Sequence, residues 1–177
     1  MNRKLPLYLC LLLLTQCSKC KKDDPAPLDQ LPPATQTGAN TFGCLVNGQA
    51  WTPQGYNGTL NLNVYYDRTY HGGNFGINTY RINENTTQYV VLGGDSIANT
   101  GMYSLVSGPR TVFFSDGTKP SACQDSDGKS SRYCRGVLTI TRLDRQAGVV
   151  SGTFWFTLHK PGCDSVRVTN GRFDYKL

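Results

Sequence analysis

The sequence predicts an all-β domain, an antiparallel β-sandwich of about eight to ten strands, with a β-barrel as the alternative closure. Three observations carry this. Apolar residues recur with period two: Leu60, Leu62, Val64 and Tyr66 alternate with Asn61, Asn63 and Tyr65, and Val150, Phe154, Phe156 and Leu158 share one parity against Thr153, Trp155, Thr157 and His159. Turn dipeptides recur at short spacing, Asn47-Gly48, Asn57-Gly58, Gly72-Gly73, Gly93-Gly94, Asp116-Gly117, Asp127-Gly128 and Asn170-Gly171. The composition is poor in helix formers, with 17% charged residues and a single Glu, Glu84, which excludes coiled coils. The 11% aromatic content excludes a disordered chain.

Along the chain, Asn2-Arg3-Lys4 forms a positive start and residues 5–14 an apolar run. The run is too short to span a bilayer, which needs about 20 residues, so it reads as a signal peptide. Leu14-Thr15-Gln16-Cys17 resembles the lipobox of bacterial lipoproteins, with Gln16 in place of the usual small residue. That resemblance implies a signal peptide over residues 1–16 and a mature N-terminus at Cys17 carrying acyl groups such as palmitate. The alternative is an ordinary secretory signal, giving a periplasmic or secreted protein.

Ser18-Lys19-Cys20-Lys21-Lys22-Asp23-Asp24 resembles the Lys-Asp-Asp export signal of Bacteroidota-type lipoproteins. It implies lipid anchoring in the outer membrane with exposure at the cell surface. Residues 24–40 hold four prolines and no hydrophobic period, so residues 17–40 are expected to be a lipidated Cys and disordered linker, a stalk reaching on the order of 50 Å. Losing Arg3 and Lys4 lowers the net charge from +6 to +4. No Lys/Arg stripe interleaves with aromatics, so nucleic acid is not an expected partner.

The all-β domain is expected over residues 41–177, with strands at 42–46, 49–52, 60–66, 74–82, 88–93, 102–106, 110–115, 136–143, 150–158, 164–169 and 172–177. No window supports a helix of three turns. The segments Leu31-Pro32-Pro33-Ala34-Thr35-Gln36, Thr41-Phe42-Gly43-Cys44-Leu45-Val46-Asn47-Gly48, Val150-Ser151-Gly152-Thr153-Phe154-Trp155-Phe156 and Val168-Thr169-Asn170-Gly171-Arg172-Phe173-Asp174 resemble a family of uncharacterised lipoproteins of the same bacterial group. The resemblance implies an anchored β domain of unknown function and supplies no catalytic residue.

Seven Cys point to an oxidising compartment. Cys10 falls in the signal, Cys17 is the acylation site and Cys20 lies in the linker. Four remain for two disulfides. Cys123–Cys134 would close a short polar loop, contributing about 3 kcal/mol, and Cys44–Cys163 would tie the ends of the domain. Spacing leaves the other two connectivities open. Asp125, Asp127 and Gly128 sit at calcium-loop offsets, but Cys123 and Cys134 occupy the first and twelfth positions, where oxygen ligands belong. No metal or other cofactor is expected, because no Cys or His pair has ligand spacing.

Catalytic candidates are sparse. His71 in His71-Gly72-Gly73 lacks a Gly-x-Ser-x-Gly elbow, and Asp67, Glu84, Asp95 and Asp144 have no pairing spacing. A hydrolase site assembled from distant residues is the competing class. Binding has firmer grounds: Trp155 shares a polar strand face with His159, and Tyr65 shares one with Asn61 and Asn63. An aromatic ring there stacks on a sugar while amides and hydroxyls supply hydrogen bonds; the competing reading has Trp155 covered by a loop, or in the sandwich core if the two faces are reversed. The sequence thus points to a membrane-anchored, non-catalytic binding or envelope structural module with a glycan or protein partner. Asp95-Ser96-Ile97 and Asp164-Ser165-Val166 also resemble O-glycosylation triplets of this bacterial group.

Overall fold

The computed structural model describes residues 24–84, 86–105, 109–127 and 133–177. The signal segment, Cys17 and Cys20 lie outside the described residues, as does Gly128. Strand β1 (Thr41–Val46) and β2 (Gln49–Trp51) form the hairpin expected at Asn47-Gly48, whose two residues take φ of 49° and 84°. A tight hairpin of matching twist needs those positive angles. Then come β3 (Leu62–Asp67), β4 (Asn74–Asn83), β5 (Thr86–Gly94), β6 (Gly101–Ser104) and β7 (Arg110–Asp116). One helical turn, Ser121–Gln124, leads into β8 (Asp125–Asp127), followed by the long strands β9 (Tyr133–Asp144), β10 (Val149–His159) and β11 (Val166–Lys176).

The strands pair antiparallel into a six-stranded sheet, ordered β2-β1-β11-β10-β9-β6, and a five-stranded sheet, β3-β4-β5-β7-β8. The two sheets pack face to face without closing, so the architecture is the sandwich and not the barrel. Period two explains the core. Val150, Phe154, Phe156 and Leu158 of β10 point inward against Phe75, Ile77, Val90, Leu92, Val112 and Phe114 of the opposite sheet, all buried. Phe75 and Phe173 meet across the sheets at 5.6 Å between ring centroids. Trp51 is fully buried, and its Nε1 donates to Gln88 Oε1 at 3.0 Å, which ties β2 to β5.

Several expectations need correction. Asn170-Gly171 is not a turn between two strands, because β11 runs through it. Gly43 pairs with Arg172 and Leu45 with Thr169, while Phe154 pairs with Gly171 and Phe156 with Val168. One residue on each neighbour therefore faces two on β11, which is a bulge, with Asn170 at φ 52°. Gly93-Gly94 likewise lies inside the β4–β5 and β5–β7 ladders. Leu60 lies outside β3 and is 69% exposed. The polar loop after Cys123 contains β8, added to the five-stranded sheet beside β7.

The cysteine pairing also differs. The disulfide is Cys123–Cys163, with the Cα atoms 5.6 Å apart, and Cys44 and Cys134 are free thiols. Cys123 sits just before β8 of one sheet, whereas Cys134 belongs to β9 of the other, so nearness in sequence does not bring them together. Cys163 lies in the β10–β11 turn that reaches across to the helical turn. The bridge thus staples the two sheets at one end. Cys44 is buried opposite Trp51, and burial pushes its thiol up to about 12.

Part of the segment expected to be a disordered linker is ordered against the domain. Residues 31–40 dock on the domain, with Leu31 buried and Pro32 packed over Gly43. Their anchor is Asp174 on β11, only 1% exposed. Its Oδ2 accepts from Thr35 Oγ1 (2.6 Å), Thr37 N (2.8 Å), Thr37 Oγ1 (3.2 Å) and Ala39 N (3.2 Å), and its Oδ1 from Gly38 N (2.8 Å) and Ser151 Oγ (2.7 Å). Burial pushes this carboxyl upward, but the donors from Thr35, Ser151, Thr37 and Gly38 outweigh it and hold it well below the usual carboxylate range.

Candidate functional site

Strand β10 presents Thr153, Trp155, Thr157 and His159 on the outer face of the six-stranded sheet, the parity opposite to the core. Its neighbours fix what stands beside each. Thr153 lies between Thr139 of β9 and Arg172 of β11; Trp155 lies beside Val137; Thr157 lies between Arg135 and Arg167. Opposite Trp155 on the other side is the bulge at Thr169 and Asn170. Gly171 is required there, since a Cβ would come within 2.6 Å of the Phe154 ring.

Trp155 remains 42% exposed. It lines an open depression of about 430 Å³ with Thr139, Thr153, Asn170 and Arg172, bounded by Ala34 of the docked N-terminal segment. Arg172 is oriented by its own bonds, Nε donating to the Asn170 carbonyl at 3.2 Å and Nη1 to the Pro32 carbonyl at 3.4 Å. The arrangement offers one aromatic plane, two hydroxyls, an amide and a guanidinium around a shallow concavity.

The other residues singled out from sequence go elsewhere. His159 is at the far end of β10, its Nδ1 3.1 Å from Ser165 Oγ. Tyr65 and Asn63 occupy the outer face of the five-stranded sheet, on the opposite side of the sandwich from Trp155. The Tyr65 ring lies across Gly76, where no Cβ would fit, and Asn63 faces Asn78 in a separate depression of about 540 Å³ with Tyr89. Asn61 turns its amide to the Gly55 carbonyl at 3.0 Å and so serves its own loop. The proposed set therefore splits between two faces, and the Trp155 face gathers Thr139, Asn170 and Arg172 instead. Thr139 shares the outward parity of β9, but only the cross-strand register places it beside Thr153.

His71 does meet a carboxylate: its Nδ1 is 2.8 Å from Asp95 Oδ2, while Asn74 Nδ2 donates to Oδ1 at 2.6 Å. Those bonds, the one from His71 first, hold the Asp95 carboxyl below its ordinary value. The His71 side chain is 61% exposed, and the neighbouring Ser96 directs its hydroxyl to the His71 carbonyl at 3.4 Å. The cluster clasps the β3–β4 loop to the segment after β5. Among the described residues, no group of three or more His, Cys, Asp or Glu is placed to hold a metal ion.

A scan against protein-family models, a search of curated proteins and a search of solved structures each find no match for this chain.

Proposed function

We propose that the chain is a lipoprotein held in the outer membrane through Cys17, and that its β domain is a non-catalytic module that binds carbohydrate on the Trp155 face. One observation carries the binding reading: Trp155, on a strand parity that is otherwise polar, stands 42% exposed in a concavity rimmed by hydroxyl, amide and guanidinium groups. A flat indole beside fixed hydrogen-bonding groups matches the alternating apolar faces and hydroxyl edges of a pyranose. The membrane part rests on the lipobox-like Leu14-Thr15-Gln16-Cys17.

The two tryptophans make the test direct. Trp51 is sealed in the core, so a change in tryptophan emission on adding oligosaccharide reports Trp155. Titration of the full chain with an oligosaccharide panel is expected to give saturable changes that Trp155→Ala abolishes. Failure of every sugar to alter emission or to bind by calorimetry ends the reading. Labelled palmitate incorporated into the native chain but not into Cys17→Ala tests the anchor separately.

A further inference from the structure

The strand register around Trp155 puts arginines on both sides of the indole. On β11, Arg172 stands beside Thr153, on one side of Trp155, and Arg167 stands beside Thr157, on the other. Arg135 of β9 faces Thr157 from the opposite flank. With neighbouring strands about 4.8 Å apart, Arg135 and Arg167 straddle β10 at about 10 Å between backbones, and Trp155 lies about 7 Å further along. Arg135 and Arg167 are exposed, and Arg172 is half-buried in the wall of the depression.

Within β11 the charges of Arg167 and Arg172 meet little opposition. The only acidic residues in β9, β10 and β11 are Asp144 and Asp174. Asp144 lies at the other end of the sheet, and Asp174 is two residues along β11 from Arg172. Asp144 is bound to Arg142 at 2.7 Å, and Asp174 is sealed under residues 35–39. The carbonyls that accept from Arg172 orient its guanidinium without cancelling its charge. Arginine, rather than lysine, presents a planar fork that matches a carboxylate or a sulfate.

We infer that the saccharide taken by the Trp155 face is an acidic one, stacked on the indole with its carboxylate or sulfate held by Arg167 and Arg172 of β11. This rests on the carbohydrate reading of the same face and narrows it. A lone indole set in a concavity between hydroxyls favours a sugar over a lipid surface, which rewards several protruding apolar side chains.

The experiment titrates the full chain with oligogalacturonate, with heparin and with uncharged dextran, following tryptophan emission and calorimetry. At least one acidic probe is expected to bind tenfold or more tighter than dextran, with affinity that falls as salt rises. Arg167→Gln is expected to weaken that binding about tenfold and leave the unfolding midpoint unchanged. Dextran bound as tightly as either acidic probe, without salt dependence, overturns the acidic inference and leaves the carbohydrate reading standing. No binding of any of the three removes both. Binding to phosphatidylglycerol vesicles with none to the acidic probes overturns it in favour of a membrane surface.

Discussion

The β10–β11 hairpin is held differently at its two ends. At the open end, where β10 begins and β11 finishes, the holding group is a buried carboxylate that collects six hydrogen bonds, five of them from residues 35–39. At the turn, the holding group is the covalent Cys123–Cys163 bridge to the opposite sheet, with Lys119 and Asp164 paired beside it at 3.3 Å. The first fastening is a charge kept ionised by its donors, so protons loosen it. The second is indifferent to protons and is undone by reductant. Between them lies Trp155, open to solvent, on strands that both fastenings keep in register.

The sharpest test of this contrast is redox. The bridge spans 40 residues in sequence, and on the chain-entropy model its loss lowers stability by about 4 kcal/mol. The double replacement Cys123→Ser and Cys163→Ser is expected to show that loss in urea denaturation, and wild type in reductant should match it. Next comes Asp174→Ala, which strands several buried donors and is expected to cost about 3 kcal/mol. Limited proteolysis should then cut within residues 31–40, the segment that the Asp174 hydrogen bonds hold against the domain. If the cut does not appear, the N-terminal segment is held by something other than the carboxylate.

Acid discriminates the two ends. The Asp174 carboxyl titrates lower in the folded protein than its ordinary 3.8, so its contribution is complete above about pH 4 and fades as pH falls toward the folded value. Asp67, Asp95, Asp116 and Asp144 are also lowered, so wild type alone mixes several groups. The stability gap between wild type and Asp174→Ala isolates the one carboxyl, and it should narrow from pH 7 to pH 3. The gap between wild type and the double Cys variant should stay constant.

Smaller effects fall in the middle of the hairpin. Gly171→Ala forces a methyl against the Phe154 ring and is expected to cost about 2 kcal/mol. Trp155→Ala removes an exposed ring and should change stability by less than about 0.5 kcal/mol while eliminating the emission response to sugar. A large loss of stability in that variant would mean that the indole serves packing rather than binding.

Local alternation separated the faces: Trp155 opposite to Phe154 and Phe156, and Tyr65 opposite to Val64, both follow from period two. What stands over an outward residue does not. Asp174 alternates with Phe173 and Tyr175 and reads as solvated, yet a segment more than 130 residues earlier covers it. Asn170-Gly171 reads as a hairpin because the same dipeptide that makes a tight turn also makes a bulge; only strands continuing on both sides distinguish them. Cysteine pairing was hidden because it depends on which sheet each strand joins, and β8 of three residues leaves too little pattern to announce a change of sheet. For the binding face, the aromatic centre was legible and the rim was not, since Thr139 and Arg172 reach Trp155 through register alone.

The docking of residues 35–39 on Asp174 also sets a load path. If the domain were pulled at its N-terminus, force applied at the Trp155 face would pass along β10, across its ladder to β11, and out through the β1–β11 ladder together with the Asp174 hydrogen bonds. The five-stranded sheet and the disulfide lie off that line. Tension would therefore be shared by the β1–β11 ladder and the Asp174 carboxylate, and residues 31–39, which lie ahead of β1, would be the first to peel away.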